Sequence, residues 1–436
     1  MNVPAYDSLT TPELRQLQAE LSAQFETHVA SDKTYSLTRG VPSADMLDLA
    51  MPLLDTLDSE SDYMTPGLPG CAPIDARNYG VLEGLPVARQ FMADVMAVPA
   101  KSVMIGGNAS LSLMHSALTL AYTKGLYNSP TPWSKLERVK ILMPAPGYDR
   151  HFAMCQWYGA ELITVDMTPT GPDMDQVERL VTDPAVRGLF CVPKYSNPTG
   201  VTYCPDTVRR LARLQPAAVD FCMWYDNAYE LHDFDQSDCD HLLPIYPELV
   251  ASGRTNQVIQ FSSLSKVTFA GGSVSAMSTG AEQLSYMLNY FSTQFISHDK
   301  INQLRHVRFL RDREHLAQFM ASNMALAKPK FELCEQVFAQ HLTPTGTRWS
   351  TPRGGYFISV DTPTGLASQV TDLAAQAGLT LLTAGSTFPN NHDPLDSNIR
   401  IAPTAVDLEN LGEAMQIFVL CVKLATVNQK LAQSND

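Results

Sequence analysis

An α/β fold with a mostly parallel central sheet is predicted for the middle of this sequence by three observations. Short, largely apolar runs recur at residues 140–143, 161–165, 189–192, 221–225 and 258–261, as strands buried on both faces do. Helical stretches separate several of them, 205–214 among them, and this alternation belongs to a sheet covered by helices on both sides. Four of the runs lead into polar or aromatic clusters, and the carboxyl edge of such a sheet is where ligands collect.

At 436 residues the chain has room for two or three domains and a large core, and 45% hydrophobic with 17% charged residues is ordinary for a globular enzyme. A net charge of −14 argues against nucleic acid or an anionic membrane as partner, since either asks for a basic face. Eight cysteines without a C-x-x-C pair suggest neither a zinc knuckle nor a disulfide framework. The first residues, Met1-Asn2-Val3-Pro4, do not read as a signal peptide, and no uninterrupted apolar run approaches membrane-spanning length, so a cytoplasmic location is expected.

In chain order, Thr10, Pro12 and Glu13 start a helix whose apolar face carries Leu14, Leu17, Leu21 and Phe25. Residues 37–42 form an extended loop that either lies over a pocket or joins two elements. A long Gly- and Pro-rich loop fills 59–84 and ends in Arg77-Asn78-Tyr79-Gly80, ahead of a helix reaching Met96. Val103-Met104-Ile105-Gly106-Gly107-Asn108-Ala109-Ser110 is a short strand, a glycine turn and a helix start, which reads either as a packing turn or as backbone amides aimed at an anion. Beyond the strand-rich middle, 299–327 reads as one charged helix, while 354–360 and 398–402 read as strands. In the last, Ile399 and Ile401 share a face and Arg400 points the other way, as an anchor for an anion or as a surface ion pair.

The strand ends carry Tyr148, then Asn197 within Ser196-Asn197-Pro198-Thr199-Gly200, then Asp226 with Tyr229, then Ser263 and Ser265 before Lys266. A lysine by itself is most often a surface charge. At a strand end, between small hydroxyl residues and a glycine turn, it also sits where a Schiff-base lysine belongs. Four such clusters at one sheet edge form a site.

Taken together, Asp226-x-Ala228-Tyr229, the 196–200 loop, Ser263-x-Ser265-Lys266 and the late Arg400 resemble the fold-type I pyridoxal-phosphate aminotransferases, in order and spacing, over nearly the whole chain. The 265–272 run, Gly106-Gly107-Asn108 and residues 302–309 look most like the class Ic aspartate aminotransferases, a subgroup similar to the aminotransferase domain of MocR-type regulators. The resemblance implies an α/β fold of type I, with a mostly parallel sheet in a large cofactor-binding domain (56–300), an N-terminal arm and part of the small domain (1–55), and an interdomain helix with a smaller α+β domain (301–436).

It further implies pyridoxal 5′-phosphate as cofactor, with Lys266, Asp226 and Tyr229 catalytic. Asn108, Ala109, Ser110 and Ser263 would hold its phosphate, which Tyr79 would reach from the partner of a homodimer with composite active sites; Tyr148 and Asn197 would meet its ring, and Gly107 and Ser265 would complete the cofactor-binding set. Arg400, Gly40, Asn197 and Tyr356 would bind substrate, an amino acid or a 2-oxo acid. The reaction implied is L-aspartate with 2-oxoglutarate to oxaloacetate and L-glutamate. Transamination of aromatic or other amino acids, a β-lyase, and an effector-sensing domain of a regulator are the alternatives. Two positions depart from the pattern. Val274 stands where many members place a phosphate-binding arginine, and no arginine is assigned by motif to a distal carboxylate, for which Lys300, Gln303 and Arg305 are only neighbours.

Overall fold

The computed structural model describes residues 5–434. Eight strands form the main sheet: β1 (Val103–Ile105), β2 (Lys140–Ala145), β3 (Glu161–Thr168), β4 (Gly171–Pro172), β5 (Val186–Cys191), β6 (Cys222–Asp226), β7 (Val258–Ser263) and β8 (Ser275–Ser278). Their spatial order is β1-β8-β7-β6-β5-β2-β3-β4. The five central strands run parallel, whereas β8 is antiparallel to both β7 and β1, and β4 is antiparallel to β3. Alternate side chains of β6 enter different apolar clusters, Cys222 and Trp224 on one face, Met223 and Tyr225 on the other, which is why this run is apolar throughout.

A second layer joins the two ends of the described chain. Helix α1 (Thr11–Val29) buries Leu14, Leu21 and Phe25, and its start is held by the Glu13 carboxylate, which accepts from the Thr10 amide at 2.7 Å. Its apolar face packs on the C-terminal helix 408–433, and a small antiparallel sheet of β9 (Arg348–Trp349), β10 (Ile358–Asp361) and β11 (Asn398–Ile401) adds residues to the same apolar cluster. That helix, Leu408–Gln433, is long and apolar enough to cross a membrane, with mean hydropathy 1.3, but 72% of its most apolar window is buried inside the protein. Sequence reading of uninterrupted runs passes over it because Asn428, Gln429 and Lys430 and its early acids break the run.

Two expected elements differ. The charged stretch after Asp299 is two helices, Lys300–Leu310 and Arg313–His341, because Arg311 takes a positive φ of 59° and Asp312 caps a new helix, its carboxylate accepting from the His315 amide at 2.9 Å. The strand expected from residue 354 begins only at Ile358; Gly355, at φ 82°, turns the chain where a Cβ would strike Tyr195 Cβ at 2.8 Å.

Candidate active site

Lys266 lies just past the end of β7, between Leu264 and Val267, both 1% exposed, so apolar burial on either side pins its backbone. Its carbonyl accepts from the Tyr356 hydroxyl at 3.1 Å and faces His232 Nε2 at 3.4 Å. The amine stands 4.9 Å from the centroid of the Tyr229 ring. Lys266 keeps some exposure toward the cleft, yet protein crowds its amine, and this desolvation lowers its pKa; the charge of Arg400 acts the same way and that of Asp226 against both. An amine so placed spends more of its time neutral, the form that attacks a carbonyl or takes a proton.

Asp226 is the last residue of β6 and 4% exposed. Its Oδ2 is 3.2 Å from Nε2 of His151, itself 2% exposed, while its Oδ1 is buried with no hydrogen-bond partner among the described residues. A buried carboxylate oxygen left unpaired is costly, so its neighbourhood suits a donor that the protein does not itself provide. Tyr229 is 3% exposed, and burial holds its phenol well above the usual range, keeping it a hydrogen-bond donor. Burial likewise pushes the Tyr148 phenol up to about 12.

An anion cradle lies beside them. The helix Ser110–Thr123 has no side-chain cap at its Ala109 end, so its first amides lack that partner. Gly106 permits the tight approach that leads into it, since a Cβ there would meet Leu113 Cδ1 and Ser275 Oγ, each at 2.6 Å. The hydroxyls of Ser263 and Ser265 are 2.7 Å apart at the same edge. Val274 supplies no charge; it is 3% exposed inside an apolar cluster with Val267, Ala276 and Leu304. Val274→Arg is therefore expected to bury a cation without a partner and to cost roughly 3 kcal/mol or more of stability. Thermal melting checks this, and an unchanged midpoint would mean that the arginine finds an anion there.

One cleft brings together Ala109, Ser110, Tyr148, Asn197, Asp226, Tyr229, Ser263, Ser265 and Lys266. Gly107 and Asn108 line an adjoining cavity with Arg305 and Val274, and Asn108 spends its amide on the Ala270 carbonyl at 3.2 Å. Arg400, 5% exposed, reaches the cleft through Asn197, whose Oδ1 accepts from its Nη1 at 3.2 Å. Its Nη2 donates to the Thr38 carbonyl at 2.9 Å, and its guanidinium lies 4.6 Å from the Phe357 ring centroid. Gly40 packs on that same ring so closely that a Cβ would stand 2.4 Å from Phe357 Cζ. Tyr79, 81% exposed, is no part of this chain's own cleft. Of the neighbours considered for a distal carboxylate, Gln303 accepts from the Leu85 amide at 2.8 Å and Lys300 donates to Ser297 Oγ at 3.0 Å.

Sequence reading misses His151 and Asp149. Both sit in the helix Asp149–Trp157, directly after Tyr148, and the one available signal is their place in the first turn after that strand-end aromatic. Asp149 Oδ1 accepts from Arg400 Nη1 at 3.2 Å.

Residues 9–434 match the family model for aspartate amino-transferase. The aspartate aminotransferase of Corynebacterium glutamicum is 38% identical over 414 residues, 93% of each chain. The crystal structure of an aspartate transaminase from that organism superimposes with a TM-score of 0.93 at 36% identity, covering 98% of this chain and all of the other. The α-aminoadipate aminotransferase of Thermus thermophilus, solved with N-(5′-phosphopyridoxyl)-L-leucine, covers 95% of this chain at TM-score 0.71, and at 19% identity it speaks for the fold alone. Fold and relatives define an aminotransferase of fold type I. The chain belongs to the aspartate aminotransferase family.

Proposed function

We propose that this aminotransferase uses pyridoxal 5′-phosphate to move the amino group of L-aspartate to 2-oxoglutarate, giving oxaloacetate and L-glutamate. The observation that carries the cofactor is the buried, unpartnered Oδ1 of Asp226 in the same cleft as the desolvated Lys266. The donor set fits the group: an acid for a protonated pyridine nitrogen, a lysine for an aldehyde, and uncapped helix amides with Ser110, Ser263 and Ser265 for a phosphate. When bound, the cofactor supplies an aldehyde carbon and a ring that draws electrons from the substrate α-carbon.

Each residue then has a definite task. Lys266 would hold the cofactor through its amine and, when that amine is free, would move a proton from and to the substrate α-carbon. Asp226 would hold a proton at the pyridine nitrogen, and His151 would orient Asp226 through its other oxygen. Tyr229 and Asn197 would donate hydrogen bonds around the ring, and Tyr148 would bound it. Arg400 binds the substrate α-carboxylate with its planar fork, while the Thr38 carbonyl and the Phe357 ring fix its direction. The enzyme works in the cytoplasm as a homodimer, with the exposed Tyr79 extending to the partner's cleft.

Aspartate as donor rests on the named relatives and the family. Stopped-flow half-reactions with aspartate, glutamate, alanine and phenylalanine test it. Aspartate is expected to be converted at least about tenfold faster than phenylalanine, a difference of about 1.4 kcal/mol in transition-state binding. Faster conversion of the aromatic donor would overturn the substrate assignment.

A further inference from the structure

Arg400 already carries a carboxylate. Asp149 Oδ1 lies 3.2 Å from its Nη1, and the two residues come from separate layers, Asp149 from the helix after β2 and Arg400 from β11 of the small sheet. The pair is unequal in surroundings: the Arg400 side chain is 6% exposed and that of Asp149 is 28% exposed. Asp149 is not needed to aim the guanidinium. Asn197 Oδ1, the Thr38 carbonyl and the Phe357 ring already fix it from three directions. What Asp149 adds is negative charge at the atom to which a substrate carboxylate would bind, on a side chain more than a quarter exposed to solvent.

We propose that Asp149 is an affinity-setting residue that competes with substrate carboxylates for Arg400. An arriving carboxylate takes the guanidinium and Asp149 rotates into water; on release Asp149 returns and restores the buried cation's partner. The residue thereby loosens the grip on every carboxylate ligand and spares Arg400 from standing unpaired between turnovers. This inference rests on the reading of Arg400 as the carboxylate clamp.

The test is titration of the holoenzyme with maleate, a dicarboxylate that has no amine to transfer, followed by calorimetry and by the visible absorbance of the cofactor. Asp149→Asn keeps the shape and removes the charge. It is expected to lower the maleate dissociation constant about tenfold, with KM for both amino and oxo acids falling and kcat not rising. Propionate, with one carboxylate, is expected to gain by a similar factor. Unchanged or weaker maleate binding in Asp149→Asn would overturn the proposal, because a residue that only positions Arg400 gives that result. Arg400→Lys separates the underlying reading: if it leaves maleate binding intact, Arg400 is not the clamp, whereas if it weakens binding while Asp149→Asn fails to tighten it, the competition alone is wrong.

Discussion

Lys266→Ala is expected to lower transamination by roughly 10⁴-fold or more, because in the proposed mechanism one amine serves both as attachment point and as proton carrier, and each role is worth orders of magnitude. The fold should survive: the backbone at this position is held by buried Leu264 and Val267 and by the Tyr356 hydroxyl on the Lys266 carbonyl, none of which involves the amine. Turnover assays, and mass spectrometry after borohydride reduction of the cofactor-loaded protein, check this. Wild type should gain the mass of the reduced cofactor on the peptide containing Lys266, and the variant should not. A variant within tenfold of wild type would remove Lys266 from the chemistry.

Asp226→Asn is expected to have the next largest effect, a loss of about 10²–10³ in kcat, since it removes the carboxylate that the proposed mechanism sets against the cofactor's pyridine nitrogen. Asparagine is isosteric and can still meet His151, so folding is expected to be retained. The readout that separates chemistry from binding is the half-reaction rate at saturating cofactor. A rate close to wild type would mean that the unpartnered Oδ1 faces something other than a pyridinium.

The central strands are legible in the sequence because burial on both faces makes them continuously apolar, as in residues 222–225. Strand β8 is not, since Ser275-Ala276-Met277-Ser278 is short and small, and only its antiparallel partners β7 and β1 identify it. The helix break at Arg311 is hidden among charged residues that favour a helix on either side. In the cleft, Lys266, Asp226, Asn197 and Tyr148 stand out because each closes or follows a strand on the same edge. His151 and Asp149 do not, because what they touch depends on how one short helix lies against β6 and β11, and spacing along the chain does not encode that.

The layer that carries Arg400 is assembled from residues nearly the whole chain apart. Gln18 of α1 donates to Asn428 Oδ1 at 2.7 Å across 410 positions, and Lys33 meets Glu413 at 2.7 Å. All strands of the main sheet, by contrast, are contained between Val103 and Ser278. During synthesis the edge bearing Lys266 and Asp226 can be laid down while later segments are still on the ribosome. The apolar face of α1 must wait for 408–433 to emerge, and contacts of such long range close slowly. That order of emergence leaves the apolar face of α1 without its 408–433 partner for as long as the C-terminal segment is still to be made.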